Sequence, residues 1–202
     1  SISMGTLQLI DGSGLASNYS LASGTFTVNS RQLNVSGSRV YDNTTVVNGS
    51  DLVVTTGVGS EVITLTGQGS VGTANAANNK LVTQNTLSLV SASGNASNYT
   101  MGTIRLNVTP RTVNVALKKV YDGTLDAPAS GLKVNGISNT VGGQTLALSG
   151  TGIMQDKNAG IAKNLVNNNS LTLLDGSGLA LNYTLSGGVH TVDVTPRSTE
   201  AL

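Results

Sequence analysis

The chain has 202 residues, of which 38% are hydrophobic, 10% charged and 3% aromatic, and its formal net charge is +1. It contains no cysteine, which excludes disulfides and thiolate metal sites. The basic residues are scattered, so the chain lacks the positive patch that nucleic-acid binding requires. No apolar run reaches the ~20 residues of a membrane span, and no membrane insertion is expected in this stretch.

The sequence repeats itself along the chain, because residues 13–21 return at 93–101 and again at 177–185. All five tyrosines fall on two repeat positions. One position holds Tyr19, Tyr99 and Tyr183, at steps of 80 and 84 residues, and the other holds Tyr41 and Tyr121, at a step of 80. Chance would scatter them, so the repeat is real.

This register predicts two complete units. Residues 1–30 are the closing part of a preceding repeat, 31–110 form module 1, 111–196 form module 2, and 197–202 start a next repeat. Direct stacking of the units is expected, because modules of about 80 residues are only marginally stable alone.

Within each unit the pattern predicts strands and turns. Val113, Val115 and Leu117 alternate with polar residues, as in a half-buried strand. Clusters of Gly, Asn and Ser recur about every 8–12 residues, which favours short antiparallel strands, six or seven in each unit. Only residues 74–80 and 156–163 leave room for a helical turn.

The predicted fold is all-β, with Ig-like β-sandwich modules stacked end to end as a rod; β-grasp-like modules remain the alternative.

The segment that joins the units is short and contains proline. Pro110 and Pro196 fix their own φ and push Thr109 and Thr195 towards extended conformations. These joints contain no glycine, so they predict a stiff connection between units.

The first tyrosine position begins a Tyr-Asp-Asn or Tyr-Asp-Gly motif that follows the first strand. Asp42 and Asp122 suit a tight turn, and Gly123 tolerates a positive φ there. Tyr41 and Tyr121 are then large apolar plugs in a core that has few other aromatic residues. The functional alternative is that each tyrosine stacks on a sugar while the aspartate binds hydroxyls.

The second tyrosine position lies in an Asn-Tyr-Ser or Asn-Tyr-Thr sequence before the closing strand. We expect the ring to cover one end of the core and the hydroxyl to bond to the backbone. Each of these asparagines is also a candidate glycosylation acceptor. The candidate acceptors are Asn18, Asn34, Asn43, Asn48, Asn95, Asn98, Asn107, Asn168 and Asn182.

No residue pattern predicts an enzyme. His190 is the only histidine, and its place in a strand pattern predicts a side chain that faces solvent or a groove. The acidic residues do not cluster as a calcium site requires. No catalytic residue, metal site or cofactor is therefore expected.

Residues 119–127, 156–163 and 181–185 together resemble the YDG-type tandem repeat domain of large bacterial filamentous-haemagglutinin-like adhesins. The resemblance covers residues 111–196 and is weaker over 31–110, where Asn43 replaces the motif glycine. It implies an exported, extracellular, β-rich stalk at the cell surface and no catalytic residues.

The expected function is a structural stalk or spacer of an extracellular bacterial adhesin or biofilm-matrix protein, which projects a binding region from the cell. The expected partners are neighbouring repeats of the same chain, with polysaccharide or host or matrix glycan as further candidates. Two alternatives stay open: a glycan-binding repeat module, and a self-assembling extracellular filament in which residues 1–30 donate a strand.

Overall fold

The structure is a computed structural model that describes residues 5–199, and it is all-β. The first unit contains β1 (Arg31–Val40), β2 (Val46–Asn48), β3 (Leu52–Thr55), β4 (Ile63–Thr66), β5 (Gln68–Val71), β6 (Ala77–Thr83), β7 (Ser88–Ser91) and β8 (Tyr99–Thr109). The second contains β9 (Arg111–Thr112), β10 (Asn114–Val120), β11 (Asp126–Pro128), β12 (Leu132–Ser138), β13 (Leu146–Ser149), β14 (Thr151–Met154), β15 (Gly160–Asn167), β16 (Thr172–Asp175), β17 (Tyr183–Thr184) and β18 (His190–Thr195).

The helical segments of the described chain are single 3-10 turns of three residues. They are Ala16–Asn18, Gly49–Asp51, Ala96–Asn98, Ala129–Gly131 and Ala180–Asn182. None of the helices between residues 5 and 199 has the length and apolar character needed to cross a bilayer.

The two units share one topology. Each has a six-stranded sheet, in the order β2-β5-β6-β8-β1-β3 in the first unit and β11-β14-β15-β18-β10-β12 in the second. Each also has a two-stranded ribbon, β4-β7 or β13-β16. The second unit has one additional pair, β9-β17, in which the strands are parallel. In sequence β9 precedes β10 and β17 precedes β18, and the pair corresponds to the first residues of β1 and β8 in the first unit.

The opening and closing strands of each unit pair in parallel at the centre of the sheet. β1 runs beside β8 from Arg31 opposite Tyr99 to Val40 opposite Thr109, and β10 runs beside β18 in the same way. The prediction that the strands are antiparallel is therefore wrong for the opening and closing strands of each unit. Alternation of apolar residues fixes which face of a strand is buried, but it does not fix the direction of the partner.

The alternating residues form the core, as the sequence predicts. Val115 and Leu117 of β10 are buried with Val192 and Val194 of β18. In the first unit the same faces of β1 and β8 are buried. Fully burying one such side chain contributes about 1.5–3 kcal/mol before entropy is subtracted.

Two details of the predicted elements are wrong. The described chain has eight strands over 31–109 and ten over 111–195, more than six or seven in each unit. The second unit's count is higher because Val113 and residues 185–189 interrupt its central pair, where Gly187 has a φ of 76°. Residues 74–80 and 156–163 form no helical turn; they lead into β6 and β15.

Those two strands instead carry a bulge at the same place. Asn79 and Ala162 have positive φ values of 57° and 51°. The N–H of Asn79 donates to Asn107 Oδ1 at 2.7 Å, and the N–H of Ala162 donates to Asp193 Oδ1 at 2.9 Å. A side chain of the closing strand thus pairs the backbone group that each bulge removes from the ladder.

Residues 5–30 form no strand in the described chain. The side chain of Tyr19 is 70% exposed, and Phe26 and Val28 are exposed as well. The hydrogen bonds described for this segment stay within it. Residues 1–4 and 200–202, which belong to the predicted flanking repeats, lie outside the described residues.

We expect Gly150→Ala to destabilise the protein by more than about 1 kcal/mol, because an alanine would be strained at a positive φ. Gly150 has a φ of 83°, and a Cβ there would lie 2.0 Å from the carbonyl oxygen of Ser170. The matched control is Gly72→Ala, where a Cβ meets no atom within 4 Å. Urea unfolding compares the two variants, and equal midpoints would contradict this account.

Candidate functional site

The Tyr-Asp motif forms the same turn in both units. The Oδ1 of Asp42 accepts the N–H of Thr44 at 3.0 Å, and the Oδ1 of Asp122 accepts the N–H of Thr124 at 3.0 Å. The residue between them is left-handed in each case, with φ 62° at Asn43 and 79° at Gly123. Asparagine and glycine are the residues that adopt this conformation most readily.

The end of the closing strand holds each motif tyrosine by its backbone. The N–H of Tyr41 donates to the carbonyl of Thr109 at 2.9 Å, and that of Tyr121 donates to the carbonyl of Thr195 at 2.8 Å. This contact exists because the opening and closing strands are parallel and end together. Pro110 alone then separates β8 from β9, so Tyr41 lies where the chain enters the second unit.

A cation from the opening strand flanks the aspartate of each turn. Lys119 Nζ lies 2.7 Å from Asp122 Oδ1, and in the first unit Arg39 takes the place of this lysine, 3.7 Å from Asp42. The hydrogen bond from Lys119 holds the pKa of Asp122 below its usual range, and the bonds from Thr124 add to this effect.

Two further ion pairs lie in the second unit. Lys133 Nζ lies 2.5 Å from Asp193 Oδ2, and Lys163 pairs with Asp156. The hydrogen bond from the lysine is the main cause that lowers the pKa of each aspartate, and a backbone N–H also contributes.

Tyr41 of the first unit packs against Tyr183 of the second. The ring centroids lie 5.5 Å apart with an interplanar angle of 78°, an edge-to-face contact. Tyr41 is 1% exposed and Tyr183 is 5% exposed. Such a pair contributes about 0.5–1.5 kcal/mol beyond the apolar area that it buries. Burial also raises the pKa of the Tyr183 phenol.

Gln144 bridges the two tyrosine hydroxyls across the units. Its Nε2 donates to the hydroxyl of Tyr41 at 3.2 Å, and its Oε1 accepts from the hydroxyl of Tyr183 at 2.5 Å. Tyr41 in turn donates to Asn43 Oδ1 at 3.0 Å, and the Tyr183 hydroxyl accepts the N–H of Val141 at 3.1 Å. Each hydroxyl therefore donates one hydrogen bond and accepts another.

Asn182 makes a second polar link between the units. Its Oδ1 accepts the N–H of Ala76 at 2.7 Å, and its Nδ2 donates to Asn75 Oδ1 at 3.1 Å. Asn182 is 1% exposed. We call Tyr41, Asn75, Ala76, Gln144, Asn182 and Tyr183 the joint.

The hydrophobic core of the first unit continues through the joint. Val113, Leu146 and Tyr183 of the second unit belong to the same buried cluster as Tyr41 and its neighbours in the first. Leu185 packs against this cluster and also against the core of the second unit. The two units are therefore connected by packed side chains as well as by Pro110.

The other predicted motif residues are not brought into the joint. Tyr99 is buried in the first unit, where its hydroxyl donates to the carboxylate of Glu61, and this bond raises the pKa of Tyr99. Tyr121 is half-buried at the far end of the second unit. Pro110 and Pro196 are exposed.

The candidate glycosylation acceptors differ in exposure. The prediction that Asn182 is a glycosylation acceptor does not fit the structure. Its amide is buried, and both of its polar atoms are hydrogen-bonded across the joint. Asn168 is half-buried. The exposed acceptors are Asn18, Asn34, Asn43, Asn48, Asn95, Asn98 and Asn107.

The prediction that His190 faces solvent or a groove is wrong. The ring is buried, and its Nε2 lies 2.8 Å from the carbonyl oxygen of Leu185. Residues 185–189 interrupt the closing strand here, and the ring packs beside Gly188. Between residues 5 and 199, no three or more His, Cys, Asp or Glu side chains are grouped so that they could hold a metal ion.

Sequence reasoning missed Gln144, Asn75 and Ala76. One signal was available for Gln144, since it lies two residues before β13, just as Glu61 lies two residues before β4. A hydrogen-bonding side chain thus recurs at this repeat position, and in each unit it bonds to the tyrosine of the Asn-Tyr-Thr sequence. Nothing in the sequence marks Asn75 among many asparagines.

Comparison with known proteins gives one family. A family model described as the YDG domain matches residues 27–106 and again 103–191. The two matches together cover most of the chain. No curated protein and no solved structure gives a significant match.

We expect Asn182→Ala to destabilise the protein by about 1–3 kcal/mol, because it leaves the N–H of Ala76 without its acceptor inside the joint. Asn98→Ala is the matched control: Asn98 occupies the same repeat position in the first unit but is exposed. Urea unfolding followed by circular dichroism compares the two, and an equal loss in both would show that the joint contact is unimportant.

We expect stability to fall as the pH drops below about 4. The ordinary aspartate pKa is 3.8, and the pKa values of Asp122, Asp156 and Asp193 lie lower in the folded chain. Their contribution is complete above 3.8 and is lost as the pH falls towards the folded values, since the unfolded chain binds protons first. Urea midpoints at pH 7 and pH 3 measure this loss.

The matched variants for this measurement are aspartate-to-asparagine changes. The triple variant of Asp122, Asp156 and Asp193 should be less stable at pH 7 and lose less between pH 7 and pH 3. An unchanged slope in the triple variant would refute the assignment.

Proposed function

This chain belongs to the YDG domain family, and we propose that its two repeats act as a stiff structural spacer. The observation that carries the proposal is the joint, where the core of one unit continues into the next. A pair connected in this way keeps its relative orientation, which a spacer requires and a flexible linker does not provide.

The free energy of the joint sets how often it opens. Bending at Pro110 would separate Tyr41 from Tyr183 and break three hydrogen bonds between units, one from Gln144 and two at Asn182. At about 1 kcal/mol for each bond and for the aromatic pair, these contacts alone contribute on the order of 4 kcal/mol. The apolar side chains of the shared core add to this, so the open form is rarer than about one molecule in a thousand.

We further propose that successive units lie end to end as a rod. Pro110 is the only residue between β8 and β9, so the closing strand of one unit passes directly into the opening strand of the next. Of the two module types considered, the parallel central pair supports the β-grasp-like one, because an Ig-like sandwich is built from antiparallel sheets.

The proposed setting is an extracellular bacterial adhesin or biofilm-matrix protein, in which such repeats project a binding region from the cell surface. Support comes from the resemblance of residues 119–127 and 156–163 to repeats of large bacterial adhesins. Charged residues make up only 10% of the chain. The protein therefore offers few strong binding sites to charged partners, which suits a spacer.

The glycan-binding alternative has less support. Tyr41 is buried against Tyr183 and is unavailable to stack on a sugar. The Tyr-Asp motif of Tyr121 lies outside the joint, and Tyr121 is half-buried. Glycan-array binding that is lost in Tyr121→Ala, with folding intact, would favour this alternative.

The stiffness of the pair is tested by small-angle X-ray scattering. We expect the wild-type curve to fit one orientation of the two units. The double variant Gln144→Ala/Asn182→Ala should require a mixture of bent orientations, because it loses all three hydrogen bonds across the joint. The matched control Asn98→Ala/Gln68→Ala removes the same residue types at exposed positions of the first unit. A wild-type curve that already requires free bending would refute the spacer proposal.

A further inference from the structure

The central pair of strands in each unit lies where tension along the chain would enter and leave that unit. In the first unit the chain enters the sheet at Arg31, the start of β1, and leaves it at Thr109, the end of β8. Pro110 then leads directly into β9, so a pull on the chain passes from β8 into the opening strand of the next unit. The two strands of each central pair therefore carry this tension.

Parallel pairing makes the pull a sliding force. Arg31 lies opposite Tyr99 at one end of the ladder, and Val40 lies opposite Thr109 at the other end, about 30 Å away at the usual rise per residue. A pull on Arg31 and on Thr109 therefore draws β1 and β8 in opposite directions along their common axis. In an antiparallel pair the two points would lie at the same end, and the pair would open from there.

Sliding loads the hydrogen bonds of the ladder together. The bonds of a parallel pair are evenly spaced along the strands. The register of β1 and β8 has nine residue pairs, with one shift between Leu33 and Val35. A pull across the strands breaks such bonds one after another, whereas a pull along the strands requires several bonds to break at once.

The buried faces of the two strands resist sliding as well. Leu33 and Val35 of β1 are almost completely buried, as are Ile104, Leu106 and Val108 of β8. A slip of one residue, about 3.3 Å, turns the side chains of a strand to the opposite face, so the strands cannot pair again after it. Each strand also has a partner on its other side, β3 beside β1 and β6 beside β8, so neither is an edge strand.

The end of the ladder where tension leaves the unit carries an additional side-chain bond. The hydroxyl of Thr109 donates to the carbonyl of Arg39 at 3.3 Å, and the carbonyl of Thr109 accepts the N–H of Tyr41 at 2.9 Å. Thr195 makes the same two bonds in the second unit, at 3.3 Å and 2.8 Å. The last residue of each closing strand is thus bonded to the opening strand and to the motif tyrosine.

The second unit repeats the arrangement. β10 runs parallel to β18 from Val115 opposite His190 to Val120 opposite Thr195. Both strands lie inside the sheet, because β12 pairs with β10 and β15 pairs with β18. One pull on the chain therefore loads equivalent strands of both units in the same way.

We propose that each unit is a force-bearing element, whose parallel central pair resists tension along the chain in shear. Its function is to transmit a pull between the segments on either side without unfolding. A spacer needs only resistance to bending at the joint, whereas this property is resistance to rupture within a unit. The proposal goes beyond the spacer function and rests on the strand topology.

Single-molecule pulling in two directions tests the proposal. Engineered cysteines can serve as attachment points, because the chain has no cysteine of its own. Gln32→Cys/Pro110→Cys loads the central pair of the first unit along the strands. The matched control Gln32→Cys/Thr100→Cys loads the same pair across the strands, because Gln32 and Thr100 are partners at one end of the ladder. All three positions are exposed.

At one loading rate, the first variant should rupture at a force at least about twofold higher than the second, because several bonds share the load. Forced unfolding reports the rate of unfolding, so the two variants should differ in rupture force while they share one urea midpoint. Equal rupture forces would overturn the proposal. If Gln32→Cys does not fold, Ser30→Cys, just before β1, gives the same two directions of pull.

A further variant tests the end of the ladder where tension leaves the unit. Thr109→Val removes the hydroxyl that bonds to Arg39 and nearly keeps the side-chain volume. It should lower the rupture force of Gln32→Cys/Pro110→Cys and leave that of Gln32→Cys/Thr100→Cys unchanged, since the latter pair opens from the other end. An equal loss in both backgrounds would contradict the proposal, because Thr109 would then act only through overall stability.

The outcomes for the spacer and for the force-bearing element are separable. Scattering measures bending between the units, and pulling measures rupture within one unit. Equal rupture forces together with a stiff pair would refute only the force-bearing element, whereas a freely bending pair with unequal rupture forces would refute only the spacer.

Discussion

The parallel pairing of opening and closing strands in each unit determines where the next unit attaches. Because β1 and β8 run in the same direction, Val40 and Thr109 lie side by side where the two strands end, at the same end of the sheet. The residue after Val40 is the motif tyrosine, and the residue after Thr109 is the connecting proline. An antiparallel pair would place the tyrosine and the connection at opposite ends of the sheet. The motif thus lies at the exit of the chain as a consequence of topology.

The joint is stable because each polar group that it buries has a partner. Two phenol groups brought together by packing leave two hydroxyls in an apolar cluster, and an unpaired one would cost about 1–3 kcal/mol. Gln144 meets both needs since one amide carries a donor and an acceptor. An aspartate at this position would leave the Tyr41 hydroxyl without its donor, and a leucine would remove a partner from both hydroxyls. Gly178 leaves room for this side chain, because a Cβ there would lie 2.8 Å from Gln144 Oε1.

The sequence predicts those parts of the fold that depend on the order of apolar and polar residues within a strand. Alternation of valine and leucine predicts the all-β class and the buried faces, and the restriction of tyrosine to two repeat positions indicates a shared structural role. The direction of the central pair is not predictable in this way, since it depends on contacts about 70 residues apart. The role of Gln144 is hidden for a related reason: its two partners lie 103 and 39 residues away. His190 shows the limit of composition arguments, because a lone histidine is as consistent with burial as with exposure.

The two units differ in the hydrogen-bonding groups that they carry at equivalent positions, Asn43 against Gly123 and Glu61 against Gln144. A tyrosine followed by Asn43 has already donated its proton, so it suits an amide that can donate in return, and a carboxylate would face its lone pairs without a hydrogen between them. A tyrosine followed by Gly123 keeps its proton free and suits a carboxylate. Two acceptors facing each other in the joint would bury an unpaired oxygen, which costs about 1–3 kcal/mol.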